Sequence, residues 1–152
     1  MLQKGDYISL LIENNGRGGY YTELARTMVL GKASSELRDA FAVVCEAQKH
    51  TAAKLKPGAA CADIHAAHNA FMQSRGAPPE QRLYGHSQGY DMVERPLLRH
   101  DETIPIAADM CVAVHPGFPT KTNFVFICDN FLTHADGSVE HMHKAEQKIY
   151  EV

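Results

Sequence analysis

The chain has 152 residues, 45% of them hydrophobic and 22% charged, with a formal net charge of -3. That is enough for one domain with a real core, and the scattered charges form no basic stripe of the kind nucleic acid requires. No apolar run approaches the roughly 18 residues that cross a membrane, and Met1–Asp6 is not a signal peptide, so the chain reads as cytoplasmic.

Tyr7–Glu13 is a run of apolar and β-branched residues, followed by the glycine-rich Asn14–Gly19 and a second run from Tyr20 to Leu30. This predicts a β-hairpin. The first strand is apolar on both faces from Leu10 to Ile12 and expects cover on each side, from later helices, a second subunit or preceding chain. Ser34 and Ser35 supply helix-cap chemistry, and Leu37, Phe41, Val44, Gln48, Thr51 and Leu55 recur at steps of three and four. They predict an amphipathic helix that Lys56-Pro57-Gly58 stops. A second helix is expected from Ala62 to Arg75, with Ile64, Ala67, Phe71 and Met72 on one face and Gly76 after its end. His65 and His68 on it read as a solvated pair.

The stretch Gly85-His86-Ser87-Gln88-Gly89-Tyr90-Asp91-Met92-Val93-Glu94-Arg95-Pro96 stands out between these elements. Its two glycines permit backbone angles or close approaches that a side chain would forbid, so His86 is expected on a tight loop or strand entry. Leu97 to Ile106 reads as a charged loop. Met110–Val114 reads as a buried strand leading into His115-Pro116-Gly117, and Phe124–Thr133 as a strand pair or bent strand before the turn Ala135-Asp136-Gly137. The tail from His141 to Val152 predicts a last strand or helical turn, with His141 and His143 exposed. The summed order, hairpin, two helices, then strands, is α+β: an antiparallel sheet with helices on one face.

Nine histidines are an unusual count and make metal binding or proton transfer worth testing. The four cysteines, Cys45, Cys61, Cys111 and Cys128, show no Cys-x-x-Cys, which speaks against a zinc ribbon or a disulfide framework.

The order Gly5-Asp6, Tyr20, Glu23-Leu24-Ala25-Arg26-Thr27, Lys56-Pro57-Gly58, Gly85-His86-x-x-Gly89, Glu94-x-Pro96 and Met110 before His115-Pro116-Gly117 resembles the creatinase, aminopeptidase P and methionine aminopeptidase family. The resemblance runs from Gly5 to about Gly137. It implies a partial pita-bread fold with a curved antiparallel sheet, in a single domain over 1–152 that lacks the first part of the family's catalytic domain. It also implies a homodimer and a hydrolase acting on a small molecule or short peptide.

Active members hold two metal ions with five carboxylate and histidine ligands. Carried onto this chain, those positions fall at Ile12 (or Glu13 with a one-residue slip), Glu23, His86, His115 and Cys128, and the family's second histidine falls at Val93. Two adjacent divalent ions repel strongly unless carboxylates bridge them, so a dinuclear peptidase centre is not expected. Three readings follow. Glu23, His86, His115 and Cys128 form a mononuclear, zinc-type hydrolase site. Alternatively, a metal-free C–N hydrolase of creatinase type uses His86 and Glu94 in catalysis, with Glu23 and Tyr90 binding substrate. The third is a non-catalytic ligand-binding or dimerisation module.

Overall fold

The computed structural model describes residues 1–152 and opens with the expected hairpin. β1 (Tyr7–Asn15) and β2 (Tyr21–Val29) pair antiparallel in unbroken register, from Tyr7 opposite Val29 to Asn15 opposite Tyr21. Gly18 and Gly19 close the turn at φ of 111° and 88°, where a side chain would be strained. Strand side chains alternate between faces, so the cross-strand pairs Leu11–Ala25 and Glu13–Glu23 share one face. Ile8, Leu10 and Ile12 share the other and are 48%, 43% and 47% exposed.

α1 (Ser35–Ala52) starts where Ser34 Oγ accepts the Leu37 N–H at 3.1 Å, and it buries Leu37, Phe41, Val44, Gln48 and Thr51 as the periodicity predicts. α2 (Cys61–Ser74) buries Cys61, Ile64, His68 and Met72. His68 is therefore not a solvated residue: its steps of four to Ile64 and Met72 place it in the apolar stripe. The ring stacks on Tyr84 with centroids 3.8 Å apart. Its Nδ1 donates to Thr51 Oγ1 at 2.8 Å, because the Thr51 hydroxyl proton is already given to the Ala47 carbonyl.

The second half is built of short strands: β3 (Gly85–Ser87), β4 (Glu94–Leu97), β5 (Cys111–Val114), β6 (Gly117–Pro119), β7 (Phe124–Phe126), β8 (Asp129–Thr133) and β9 (Val139–His141). Five of them form an antiparallel sheet in the order β4-β3-β5-β8-β9, while β6 and β7 form a separate hairpin. The expected bent strand from Phe124 to Thr133 is thus β7 and β8, broken at Ile127–Cys128. At that break Cys128 bridges to Ala25 of β2, with Ala25 N donating to the Cys128 carbonyl at 3.1 Å. A last strand, β10 (Tyr150–Glu151), returns parallel to β2.

α1 packs against β5, β6 and β7. Together these elements make the α+β, partial pita-bread arrangement. One core cluster lies around Leu55, Ile64, Tyr84, Leu98 and Val112, and another around Val29, Leu37, Val44 and Ile127. The small buried group Ala25, Ala113 and Cys128 marks where the two larger sheets meet.

Of the tail histidines, His141 is exposed as expected and His143 is half-buried, and both have partners. β9 lies beside β8, which brings His141 Nε2 to 3.0 Å from Asp129 Oδ1 and stacks its ring on Phe131. His143 Nε2 donates to Asn130 Oδ1 at 3.0 Å. Each has a partner that only the sheet order supplies.

Candidate functional site

His86 lies on the middle residue of β3, between β4 and β5, so neighbouring strands fix its backbone on both sides. The flanking glycines serve close approach rather than turning. A Cβ on Gly85 would meet Leu98 Cδ1 at 2.5 Å, and one on Gly89 would meet the Glu94 carboxylate at 2.9 Å. Glu23 reaches the same place from β2, and His115 from the end of β5. The β2–Cys128 bridge adds the thiol.

These residues make one compact cluster. Donor atoms of Glu23, His86 and His115 lie within 4.8 Å of one another. Glu23 is 3% exposed and His86 3%. Glu23 Oε1 faces His86 Nε2 at 3.1 Å and accepts from Gln88 Nε2 at 2.9 Å, while Oε2 accepts from the Cys128 thiol at 3.3 Å. Cys128 therefore contacts Glu23 but does not join the convergent group. Burial and the Glu23 charge push its thiol far above the ordinary range, so it stays protonated and donates.

The two imidazoles are in opposite states. His86 Nδ1 is 2.9 Å from the Ser87 carbonyl and Nε2 faces Glu23, so both ring nitrogens meet acceptors and both carry protons. Burial lowers its pKa, but the hydrogen bonds to Glu23 and Ser87 outweigh burial and raise it overall. Glu23 mirrors this: burial opposes its charge, and His86, His115 and Cys128 together hold the carboxyl below its usual range. Burial takes His115 down to about 4, so this second ring is neutral. The cluster opens on a pocket of about 300 Å³ whose apolar wall includes Leu11, Val93 and Phe126.

Glu94 and Tyr90 are not in this pocket. Both line a neighbouring depression, where Glu94 accepts the Asp91 N–H at 2.8 Å and Tyr90 lies against Tyr20 with ring centroids 4.5 Å apart.

Several residues of the site are not singled out by the sequence. Asn130 Oδ1 accepts the Glu23 N–H at 2.7 Å, and Asn130 Nδ2 donates to Gln88 Oε1 at 2.7 Å, which closes a ring of hydrogen bonds through Gln88 to the Glu23 carboxylate. Gln88 stands inside the Gly-His stretch, so a polar residue between two glycines was a usable signal. Asn130 offered none. Arg82, also not singled out, lines the pocket together with Glu13, one of the two alternatives for the first ligand position.

Of the two alternatives for the first ligand position, the pairing of Glu13 with Glu23 selects Glu13, and Ile12 faces away. Even so, the two-ion centre implied by the resemblance does not fit. The buried cluster offers one carboxylate, already taking three hydrogen bonds, and a thiol held protonated, and beside it Glu13 adds a single exposed carboxylate. That is too little negative charge to offset the repulsion of two divalent ions. Glu23, His86 and His115 do match, by type, the one-carboxylate, two-imidazole set that holds a single zinc ion.

Comparison with known proteins agrees with this architecture. The profile of metallopeptidase family M24 matches residues 1–135. The Xaa-Pro dipeptidase of Pyrococcus horikoshii is 26% identical over 133 residues, covering 86% of this chain and 37% of that protein. The creatinase of Bacillus sp. (strain B-0618) is 30% identical over 125 residues, covering 76% of this chain and 29% of the creatinase. The crystal structure of the X-Pro aminopeptidase from Thermotoga maritima superposes with a TM-score of 0.90 at 20% identity, over 99% of this chain and 43% of that one. The chain thus spans less than half the length of each.

Proposed function

Since the chain belongs to the metallopeptidase family M24, we propose that it hydrolyses a C–N bond of a small amino-acid-like molecule by histidine acid–base chemistry, without the two-ion centre. One observation carries this: two imidazoles face the same pocket, one held protonated by Glu23 and the Ser87 carbonyl, the other kept neutral by burial. Neighbouring titratable groups pushed to opposite states are the arrangement that assigns an acid and a base.

In the reaction, His115 accepts a proton from the attacking water as the C–O bond forms. His86 gives its Nε2 proton to the nitrogen leaving as the C–N bond breaks. Glu23 remains ionised throughout and stabilises the imidazolium. The net proton displacement, from His86 to His115, is reversed through solvent. Val93, Leu11 and Phe126 exclude water from one side of the pocket, and its volume suits a dipeptide-sized molecule.

The test is turnover of Xaa-Pro dipeptides and of guanidino and betaine-type acids in the presence of a chelator. Hydrolysis that survives the chelator and disappears in His86→Ala is the expected result. Ligand-induced stabilisation without any turnover would instead identify a binding module. The convergence of Glu23, His86 and His115 within 4.8 Å favours a second reading, a single-ion hydrolase. Activity that appears only on adding one equivalent of zinc, with tetrahedral absorption on cobalt substitution, would establish it in place of the first.

A further inference from the structure

Residues 136–152 lie beyond the stretch that the family profile matches, yet one of them reaches the site. His143 Nε2 is 3.0 Å from Asn130 Oδ1. The chain is anchored on both sides of this contact. Before it, the Met142 N–H donates to the Asn130 carbonyl at 3.0 Å, and after it Arg26 donates to the carbonyls of Ala145 and Glu146 at 2.7 and 3.2 Å. Asn130, Gln88 and Glu23, which stand behind His143, are 0%, 3% and 3% exposed, so they satisfy one another rather than water.

The ring of hydrogen bonds through these three residues has only one workable direction. A backbone N–H can only donate, so Asn130 turns Oδ1 to the Glu23 N–H at 2.7 Å. That leaves Asn130 Nδ2 for Gln88 Oε1 at 2.7 Å, and Gln88 Nε2 for Glu23 Oε1 at 2.9 Å. The Met92 carbonyl, 3.0 Å from Gln88 Nε2, can only accept and fixes the same sense. Glu23 Oε1, held in this way, is the oxygen that faces His86 Nε2 at 3.1 Å. His143 bears on the first link. Burial outweighs Asp129 and the Glu23 carbonyl and lowers its pKa, so the ring is neutral. With its one proton on Nε2 it is a second donor to Asn130 Oδ1, and a reversed Asn130 amide would set its own N–H groups against two donors.

We propose that His143 is a positioning residue of the site: its Nε2–H fixes the Asn130 amide and, through Asn130 and Gln88, the seat of Glu23 Oε1 against His86. The tail is thereby part of the site as well as a cover for the Arg26–Asp129 pair. The proposal rests on the reading of His86 as the acid, and it adds to that reading a residue that touches neither substrate nor reacting atoms.

The test uses the full chain labelled with ¹⁵N-histidine. In wild type, long-range ¹H–¹⁵N spectra should show His143 as the neutral Nε2–H tautomer, a measurement that needs no variant to fold. In His143→Ala the His86 Nε2 proton should exchange with water about tenfold faster, and His143→Gln, whose amide can donate from the same place, should restore most of the protection. Turnover of glycylproline or 4-guanidinobutyrate should follow the same order, with kcat down about tenfold in His143→Ala, KM little changed, and recovery in His143→Gln. The Nδ1–H tautomer in wild type, unchanged His86 exchange in His143→Ala, or a loss that His143→Gln does not recover overturns the proposal. Absence of turnover in wild type would remove the hydrolytic reading while the exchange rates still decide the positioning role. Turnover and exchange both indifferent to His143→Ala would remove the positioning role and leave hydrolysis standing.

Discussion

Two buried ion pairs begin three residues apart on β2, and they have opposite fates. Arg26 pairs with Asp129 on one face of the strand, and Glu23 pairs with His86 on the other. Arg26 donates to both Asp129 oxygens and to the carbonyls of Ala25, Cys128, Ala145 and Glu146, and Asp129 also receives Gln147 and His141. That network is closed, with the tail folded over it. The Glu23–His86 pair has equally good partners, but it ends at a pocket beside a neutral imidazole. Burial of opposite charges makes a structural clasp where every donor is enclosed, and a chemical site where one edge is left open.

The comparison is most sharply tested by removing one member of each pair. Asp129→Ala leaves a guanidinium buried without its counter-charge, and the expected cost is about 3–5 kcal/mol in urea unfolding. Glu23→Gln should cost less, on the order of 1–2 kcal/mol, because His86 can release its proton while arginine cannot. Equal losses in the two variants would erase the distinction. The same Glu23→Gln substitution should reduce turnover by about 10²–10⁴-fold with unchanged circular dichroism, since His86 is then no longer held as an acid.

Acid comes next in size. His68 is fully buried and its pKa falls from 6.5 to about 4. The unfolded chain takes up a proton there that the folded chain refuses, so stability drops as pH falls from about 6.5 toward 4. The loss from this residue is roughly 3 kcal/mol, and urea midpoints of wild type and His68→Gln should converge over that range.

On the alkaline side the two pairs part again. The His86 pKa is raised, so its contribution is complete below the unfolded value near 6.5 and fades as pH rises through the folded value. The Asp129 carboxyl is lowered: burial opposes its charge, and Arg26, Gln147 and His141 outweigh burial. Its contribution is therefore present above the usual carboxylate range and does not fade upward. Above neutrality wild type should lose stability that His86→Gln does not, measured by urea midpoint against pH. The smallest effect belongs to Tyr90→Ala, which removes an exposed ring lying tilted against Tyr20. A change within about 1 kcal/mol and unaltered turnover are expected, and a large fall in turnover would connect the second depression to the chemistry.

Much of this was legible in the chain itself. Period-two and period-four patterns gave the hairpin and both helices, and the paired glycines around His86 pointed to a tight loop or strand entry, of which the structure takes the strand. The same patterns contained His68, whose spacing from Ile64 and Met72 puts it in the apolar stripe. His141 and His143 could not be read, because their partners Asp129 and Asn130 are set by β9 lying beside β8. Tyr90 and Glu94 lie in the same stretch as His86, yet the chain turns between β3 and β4 and carries them to another depression.

By itself, then, the sequence determined the elements, the family and the loss of the carboxylates that a two-ion centre needs. Those follow from local periodicity and from which residues stand at which positions. Only the tertiary structure decided that Glu13 rather than Ile12 faces Glu23, that Gln88 and Asn130 lock the carboxylate, and that His86 is charged while His115 is neutral. These depend on strand register and on burial. A one-residue shift of register reverses every side chain on a strand, and a histidine's charge is set by the atoms placed around it.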